Sequence, residues 1–197
     1  MKEIKIGNLI SFGSARALVS VWLAGILCLA TTSALSAGLT QPTGMSITAG
    51  YGTNIEVRAA ELYWDSFYTN DWLKDHGFDT RLTSELEYWH SRRDGVGNSS
   101  LVAASVTPML RWLTPRTSLG RAYVDMGIGL RLLSHTQIDD RRLGLAAEFG
   151  ERIGTGLIFG PGDRYEAGIY VQHVSNGRIK APNNGFTYYG LLLSMRL

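Results

Sequence analysis

The chain has 197 residues, 18% of them charged, with a formal net charge of +2, 23 glycines and 10% aromatics. That length suits one domain, and the charge balance offers no basic surplus of the kind that nucleic-acid binding requires. A single cysteine, Cys28, excludes a disulfide framework.

Lys2, Lys5 and Arg16 form a positive N-terminal region, followed by the apolar run "ALVSVWLAGILCLA" over 17–30 and the small residues of "TTSALSAG". This order predicts a secretory signal peptide over residues 1–37, cleaved near Ser36 or Ala37. The apolar run has 14 residues, short of the roughly 20 that a spanning helix needs. Leu27 precedes Cys28 where a lipoprotein signal would want Gly or Ala. The remaining domain, residues 38–197, then holds 16 basic and 16 acidic side chains and no cysteine, which leaves it without a thiol nucleophile or a thiolate metal site.

This domain reads in period two, the strand period, rather than 3.6. Candidate strands fall at 45–52, 54–64, 79–90, 101–112, 122–134, 144–159, 165–175 and 186–197, separated by turn signals such as "RRDGVGNSS", "GPGD" and "APNNG". In "TRLTSELEYWH" (80–90), Leu82, Leu86 and Tyr88 alternate with Arg81, Glu85 and Glu87. In "AYVDMGIGLRLLS" (122–134), Ala122, Val124, Met126, Ile128, Leu130 and Leu132 alternate with Tyr123, Asp125, Gly127, Gly129 and Arg131. Eight such antiparallel strands fit either a soluble lipid-binding barrel, apolar face inward, or an outer-membrane barrel, apolar face toward lipid. Segments of about ten residues or more, charged residues beside glycine on the second face, and aromatics near strand ends favour the membrane. The fold expected is therefore all-β, an eight-stranded antiparallel outer-membrane β-barrel. Arg81, Glu85, Glu87, Asp125, Arg131, Glu148 and Arg152 are its expected lumenal ion pairs. Tyr63, Trp64, Tyr88, Trp89, Trp112, Tyr165, Tyr188 and Tyr189 are its expected interfacial aromatics. An even-stranded barrel keeps both termini in the periplasm, so the loop 176–185 lies on the cell surface. His76, His90 and His135 are too scattered for a metal site.

The segment "YEAGIYVQHVS" (165–175) ends on the apolar face with His173 and Ser175. Polar groups facing lipid are costly. Both residues either sit at the headgroup level, where polarity is tolerated, or do chemistry. Residues i and i+2 of a strand share a face, so the imidazole can take the proton of a serine attacking an ester. The next residue, Asn176, carries an amide donor that can stabilise an oxyanion. The esters within reach of such a site are the acyl chains of the outer-leaflet lipid, lipopolysaccharide in Gram-negative bacteria.

The run "HVSN" (173–176), followed by "GRIKAPNNG" and a last apolar strand, resembles the C-terminal signature of the PagL-type lipid A 3-O-deacylases. That resemblance implies an outer-membrane serine esterase that removes the 3-O-linked acyl chain of lipid A. His173 would be its base, Ser175 its nucleophile and Asn176 its oxyanion donor, with no metal or cofactor and with a homodimer as the assembly. The chain departs from the family pattern in one respect above all. The family's strand-eight glutamate, which orients the histidine, corresponds here to Thr187. A hydroxyl can fix the tautomer but holds no charge. Glu151 is the other candidate for the third member. It lies among Ala147, Phe149, Ile153, Thr155, Leu157 and Phe159 on an apolar face, and pairing Phe159 with Tyr165 across "GPGDR" sets it opposite His173, with Cβ atoms about 5 Å apart. Arg178 and Lys180 are candidate partners for lipid A phosphates. The competing reading, favoured by Thr187, is a non-catalytic barrel with a structural or adhesive role.

Overall fold

The computed structural model describes residues 41–93 and 97–197; the signal peptide expected over 1–37 lies outside these. The chain forms β1 (Gly44–Gly52), β2 (Ile55–Asp65), the short helix α1 (Asp71–Asp75), β3 (Phe78–Ser91), β4 (Ser100–Leu113) and β5 (Arg121–Leu133). It continues through the two-residue strands β6 (Gln137–Ile138) and β7 (Arg141–Arg142) to β8 (Ala147–Phe159), β9 (Tyr165–Ser175) and β10 (Phe186–Arg196). Eight of these strands close into one barrel in the order β1-β10-β9-β8-β5-β4-β3-β2, every neighbour antiparallel. The first and last strands pair from Gly44↔Arg196 to Tyr51↔Tyr189, which abolishes sheet edges. Each expected strand is present within a few residues. The expected start of the sixth at 144 gives way to β8 at Ala147, because residues 137–142 form a hairpin of their own in the preceding loop.

Local chemistry explains the connections. Thr53 and Asn54 both take positive φ, 39° and 69°, the geometry of a two-residue hairpin whose twist matches its strands. Asn70 caps α1 by accepting from the Leu73 N–H at 2.8 Å.

The alternation sorts the barrel into two surfaces. Outward, Ile47, Leu62, Leu86, Val106, Leu130, Leu132, Ile153, Ile169, Leu191 and Leu193 are exposed. Inward, Glu61, Arg81, Glu85, Glu87, Arg111, Asp125, Arg131, Arg152 and Glu166 are buried. A soluble barrel would have the reverse, so this is a membrane barrel. Each inward arginine meets carboxylates: Arg81 with Asp65 and Glu166 (2.6 and 2.7 Å), Arg111 with Asp125 and Glu166 (2.7 and 2.9 Å), Arg131 with Glu87 (2.7 Å), and Arg152 with Glu85 and Glu61 (2.6 and 3.1 Å). Glycine makes room for these large groups: the Tyr123 hydroxyl occupies the space that a Cβ at Gly168 would need.

Three of the expected interfacial aromatics are elsewhere. Tyr63, Trp89 and Tyr188 are 1%, 0% and 1% exposed and point into the barrel. Each is adjacent in sequence to another aromatic (Trp64, Tyr88 and Tyr189), and strand parity sends one ring of each pair to each face. Trp89 stacks edge-on against Phe186, and its indole N–H donates to Glu87 at 2.8 Å. With Ile55, Val57, Leu101, Leu133, Ile138, Leu143 and Val174, the rings of Trp89, Phe186 and Tyr188 form an apolar plug inside the barrel, at the end away from the termini. The lumen is thus charged in its middle and on the terminus side, and apolar beneath the outer loops.

Candidate active site

β9 alternates cleanly. Gln172, Val174 and Asn176 are buried inside, while His173 and Ser175 are half-buried on the outer wall. The register sets His173 directly between Glu151 of β8 and Thr187 of β10, and Ser175 opposite Phe149. The Phe159↔Tyr165 pairing expected from the turn is present and produces the Glu151↔His173 pair. His173 Nδ1 shares a 2.9 Å hydrogen bond with Thr187 Oγ1. With the proton on Nδ1, the hydroxyl accepts and Nε2 is left free as a base. Among the described residues no hydrogen bond joins His173 to Ser175. Catalytic contacts of this kind often tighten only around substrate.

The loop above the pair is held from two sides. Gly177 (φ 62°) and Arg178 (φ 67°) turn the chain back immediately after β9, and the Gly177 N–H lies 3.4 Å from Ser175 Oγ. Asn176 is fully buried beneath this turn. Its side-chain amide donates to the carbonyls of Leu143 (2.7 Å) and Lys180 (2.9 Å), and its backbone N–H donates to Asn183 Oδ1 at 3.1 Å. Both amide hydrogens are thereby used, so the side chain expected to face an oxyanion instead ties two loops together. The donor that does point at the serine oxygen is the Gly177 backbone. Further clasps run from the Asn184 N–H to the Arg142 carbonyl (3.0 Å) and from Arg141 Nη1 to the Gly185 carbonyl (3.2 Å). The β6–β7 hairpin is therefore the platform on which the 176–185 loop rests. Sequence reading missed it, and its only trace there is the run "QIDDRR", with Asp139 and Asp140 as a turn between two two-residue pieces.

Glu151 is half-buried on the outer wall. Its outward neighbours are Phe149 and Ile153 on its own strand and Ile128 across on β5, and it forms no salt bridge among the described residues. Arg178 and Lys180 are exposed on the loop next to Ser175. His76, His90 and His135 stay far apart in the chain, and His76 bonds the Trp72 carbonyl at 2.8 Å. The site thus brings together an imidazole, a hydroxyl, a carboxylate and a backbone N–H on a lipid-facing wall.

The profile of the lipid A 3-O-deacylase (PagL) family matches residues 58–196. The chain belongs to the lipid A 3-O-deacylase family. Members similar to it include the lipid A deacylase PagL of Bordetella bronchiseptica, 33% identical over 172 residues that cover 83% of this chain and 88% of the relative. The lipid A deacylase PagL of Pseudomonas aeruginosa is 31% identical over 129 residues, 66% of this chain and 61% of the relative. The crystal structure of the outer membrane enzyme PagL superposes with a TM-score of 0.66 at 25% identity, covering 78% of this chain and 99% of that one. Family membership and an apolar-walled eight-stranded barrel together make this an outer-membrane enzyme.

Proposed function

We propose that the protein removes the 3-O-linked acyl chain of lipid A, with Ser175 as nucleophile and His173 as general base. The observation that carries the residue assignment is the placement of both side chains together on the lipid-facing wall at the loop end of β9. In this reading Nε2 of His173 takes the hydroxyl proton as Ser175 Oγ attacks the ester carbonyl carbon. The negative charge that develops on the carbonyl oxygen is met by the Gly177 N–H, in place of the Asn176 amide. Collapse breaks the bond to the sugar oxygen, which leaves with the proton from His173. Water, deprotonated by the same imidazole, then hydrolyses the acyl-serine to free fatty acid. These steps use the chain's own groups and water. Thr187, bonded to Nδ1, holds the ring, and Glu151 stands on its other side. Arg178 and Lys180, exposed beside the serine, would meet lipid A phosphates. The family resemblance extends to a homodimer, which chemical cross-linking in intact outer membranes tests.

Mass spectrometry of lipid A from cells expressing the wild type and Ser175→Ala is the direct test. The wild type removes one 3-hydroxyacyl mass, and Ser175→Ala, with the barrel still folded by its heat-modifiable gel mobility, removes none. Unmodified lipid A from a folded wild type would instead make the barrel a non-catalytic scaffold.

A further inference from the structure

A triad acid has two jobs. It holds the histidine in one tautomer, and its charge stabilises the imidazolium that forms during the reaction. We infer that in this protein the two jobs are divided between two strands: Thr187 of β10 fixes the ring of His173, and Glu151 of β8 supplies the counter-charge. The inference rests on the deacylase reading given above. It makes Glu151 a positioning residue, since it acts through His173.

Three observations lead to it. First, Thr187 is bonded to Nδ1 at 2.9 Å, so the orienting job is filled by a group that holds no charge. Second, Glu151 is the direct cross-strand partner of His173 on the opposite flank, and paired Cβ atoms in an antiparallel ladder lie about 5 Å apart. The histidine is therefore bracketed by a hydroxyl on one side and a carboxylate on the other, at one level of the wall. Third, among the described residues His173 is the one cation-forming group next to Glu151 on the outer wall. Its other direct partner is Ile128, its diagonal neighbours on β5 are Met126 and Leu130, and its same-face neighbours on β8 are Phe149 and Ile153. On β9 the diagonals are Val171 and Ser175.

The contrast with the other strand carboxylates strengthens the case. Glu61, Glu85, Glu87, Asp125 and Glu166 point inward, and each meets an arginine, whereas Glu148, also inward, meets none among the described residues. Glu151 points to the lipid side, where an unpaired carboxylate is costly, and the one group beside it that becomes cationic during the reaction is His173. A charge placed there acts when the imidazolium forms, so it stabilises the transition state more than bound substrate.

The test is steady-state kinetics of the full-length barrel with lipopolysaccharide in mixed micelles, for Glu151→Gln, Thr187→Glu and the double variant. An opposite charge within about 4–6 Å is worth about one to three decades in a proton equilibrium. Glu151→Gln is therefore expected to lower kcat by about tenfold to a hundredfold with KM unchanged. Returning a carboxylate from the other side, as Thr187→Glu in the Glu151→Gln background, recovers most of the loss. A structural or headgroup-level role for Glu151 would show no such split between kcat and KM and no recovery from β10. Wild-type kcat in folded Glu151→Gln overturns the proposal and leaves the deacylase reading intact. A folded wild type without activity on lipid A sinks the deacylase reading itself. Should Glu151→Gln fail to fold, Thr187→Glu alone decides. With Glu151 already supplying the charge, a second carboxylate gains nothing, so a rise in kcat above wild type would overturn the proposal.

Discussion

The lumen and the outer wall of this barrel use the same side chains for opposite ends. Inside, Glu166 accepts from Arg81 and from Arg111, and each of those arginines has a second carboxylate in Asp65 or Asp125. The network answers its own charges, fills the space and keeps the strands in place. Outside, His173, Ser175 and Glu151 stand in a band of Ile, Leu, Val and Phe, and their polarity is answered by one hydroxyl and one backbone N–H. Buried polar groups that satisfy one another are structural. Polar groups left facing lipid are costly, which supports the reading that these act on what the lipid brings. One residue of strand parity separates the two outcomes, as Arg152 inside, paired with Glu61 and Glu85, and Glu151 outside on β8 show.

The comparison makes predictions that separate stability from activity. The largest effect on stability is expected inside. Glu166→Ala strips the carboxylate shared by two buried arginines. Removing one member of a buried charge network typically costs about 3–5 kcal/mol, and the low end applies here because Asp65 and Asp125 remain. The temperature at which the folded gel band converts to the unfolded one should fall, while the fraction still folded deacylates at the wild-type rate. A normal conversion temperature would mean that the network does not hold the barrel.

A smaller effect in free energy, but the opposite pattern, is expected at the junction of the two regions. Asn176→Ala frees the Leu143 and Lys180 carbonyls and unpins the turn that aims the Gly177 N–H. Losing an oxyanion donor costs about 10²–10³ in kcat, so deacylation should fall about a hundredfold with the conversion temperature little changed. Asn176→Asp should fall as far, because a carboxylate cannot donate. Full activity in either variant would return the side chain to a bystander. The smallest effect belongs to the exposed loop: Arg178→Ala and Lys180→Ala should raise KM for lipopolysaccharide a few-fold, less so at high salt, as exposed charge contacts do. An unchanged KM at low salt would place the phosphates elsewhere.

Much of the fold was legible because strand parity is a local property. The alternation in "TRLTSELEYWH" and "AYVDMGIGLRLLS" separates lumen from lipid residue by residue, and the structure keeps that separation. The same rule sends Trp89 and Tyr188 inward, which an expectation based on aromatic clustering alone got wrong. The β8–β9 register was legible for a related reason. One short turn, from Phe159 to Tyr165, sets every pair along the two strands, Glu151 with His173 included.

What the sequence by itself determined is therefore the membrane barrel, the faces of the strands whose alternation is clear, and the placement of His173 and Ser175 on the lipid side. Each follows from a period of two and from turns a few residues long. Only the tertiary structure decided what lies above the serine: the β6–β7 hairpin under the loop, the Asn176 amide spent on two carbonyls, and the Gly177 N–H aimed at Ser175. The Asn176–Leu143 contact joins loops 33 residues apart in the chain. No periodicity spans such a gap, because which loop carbonyls an amide meets depends on how the closed barrel brings its loops together.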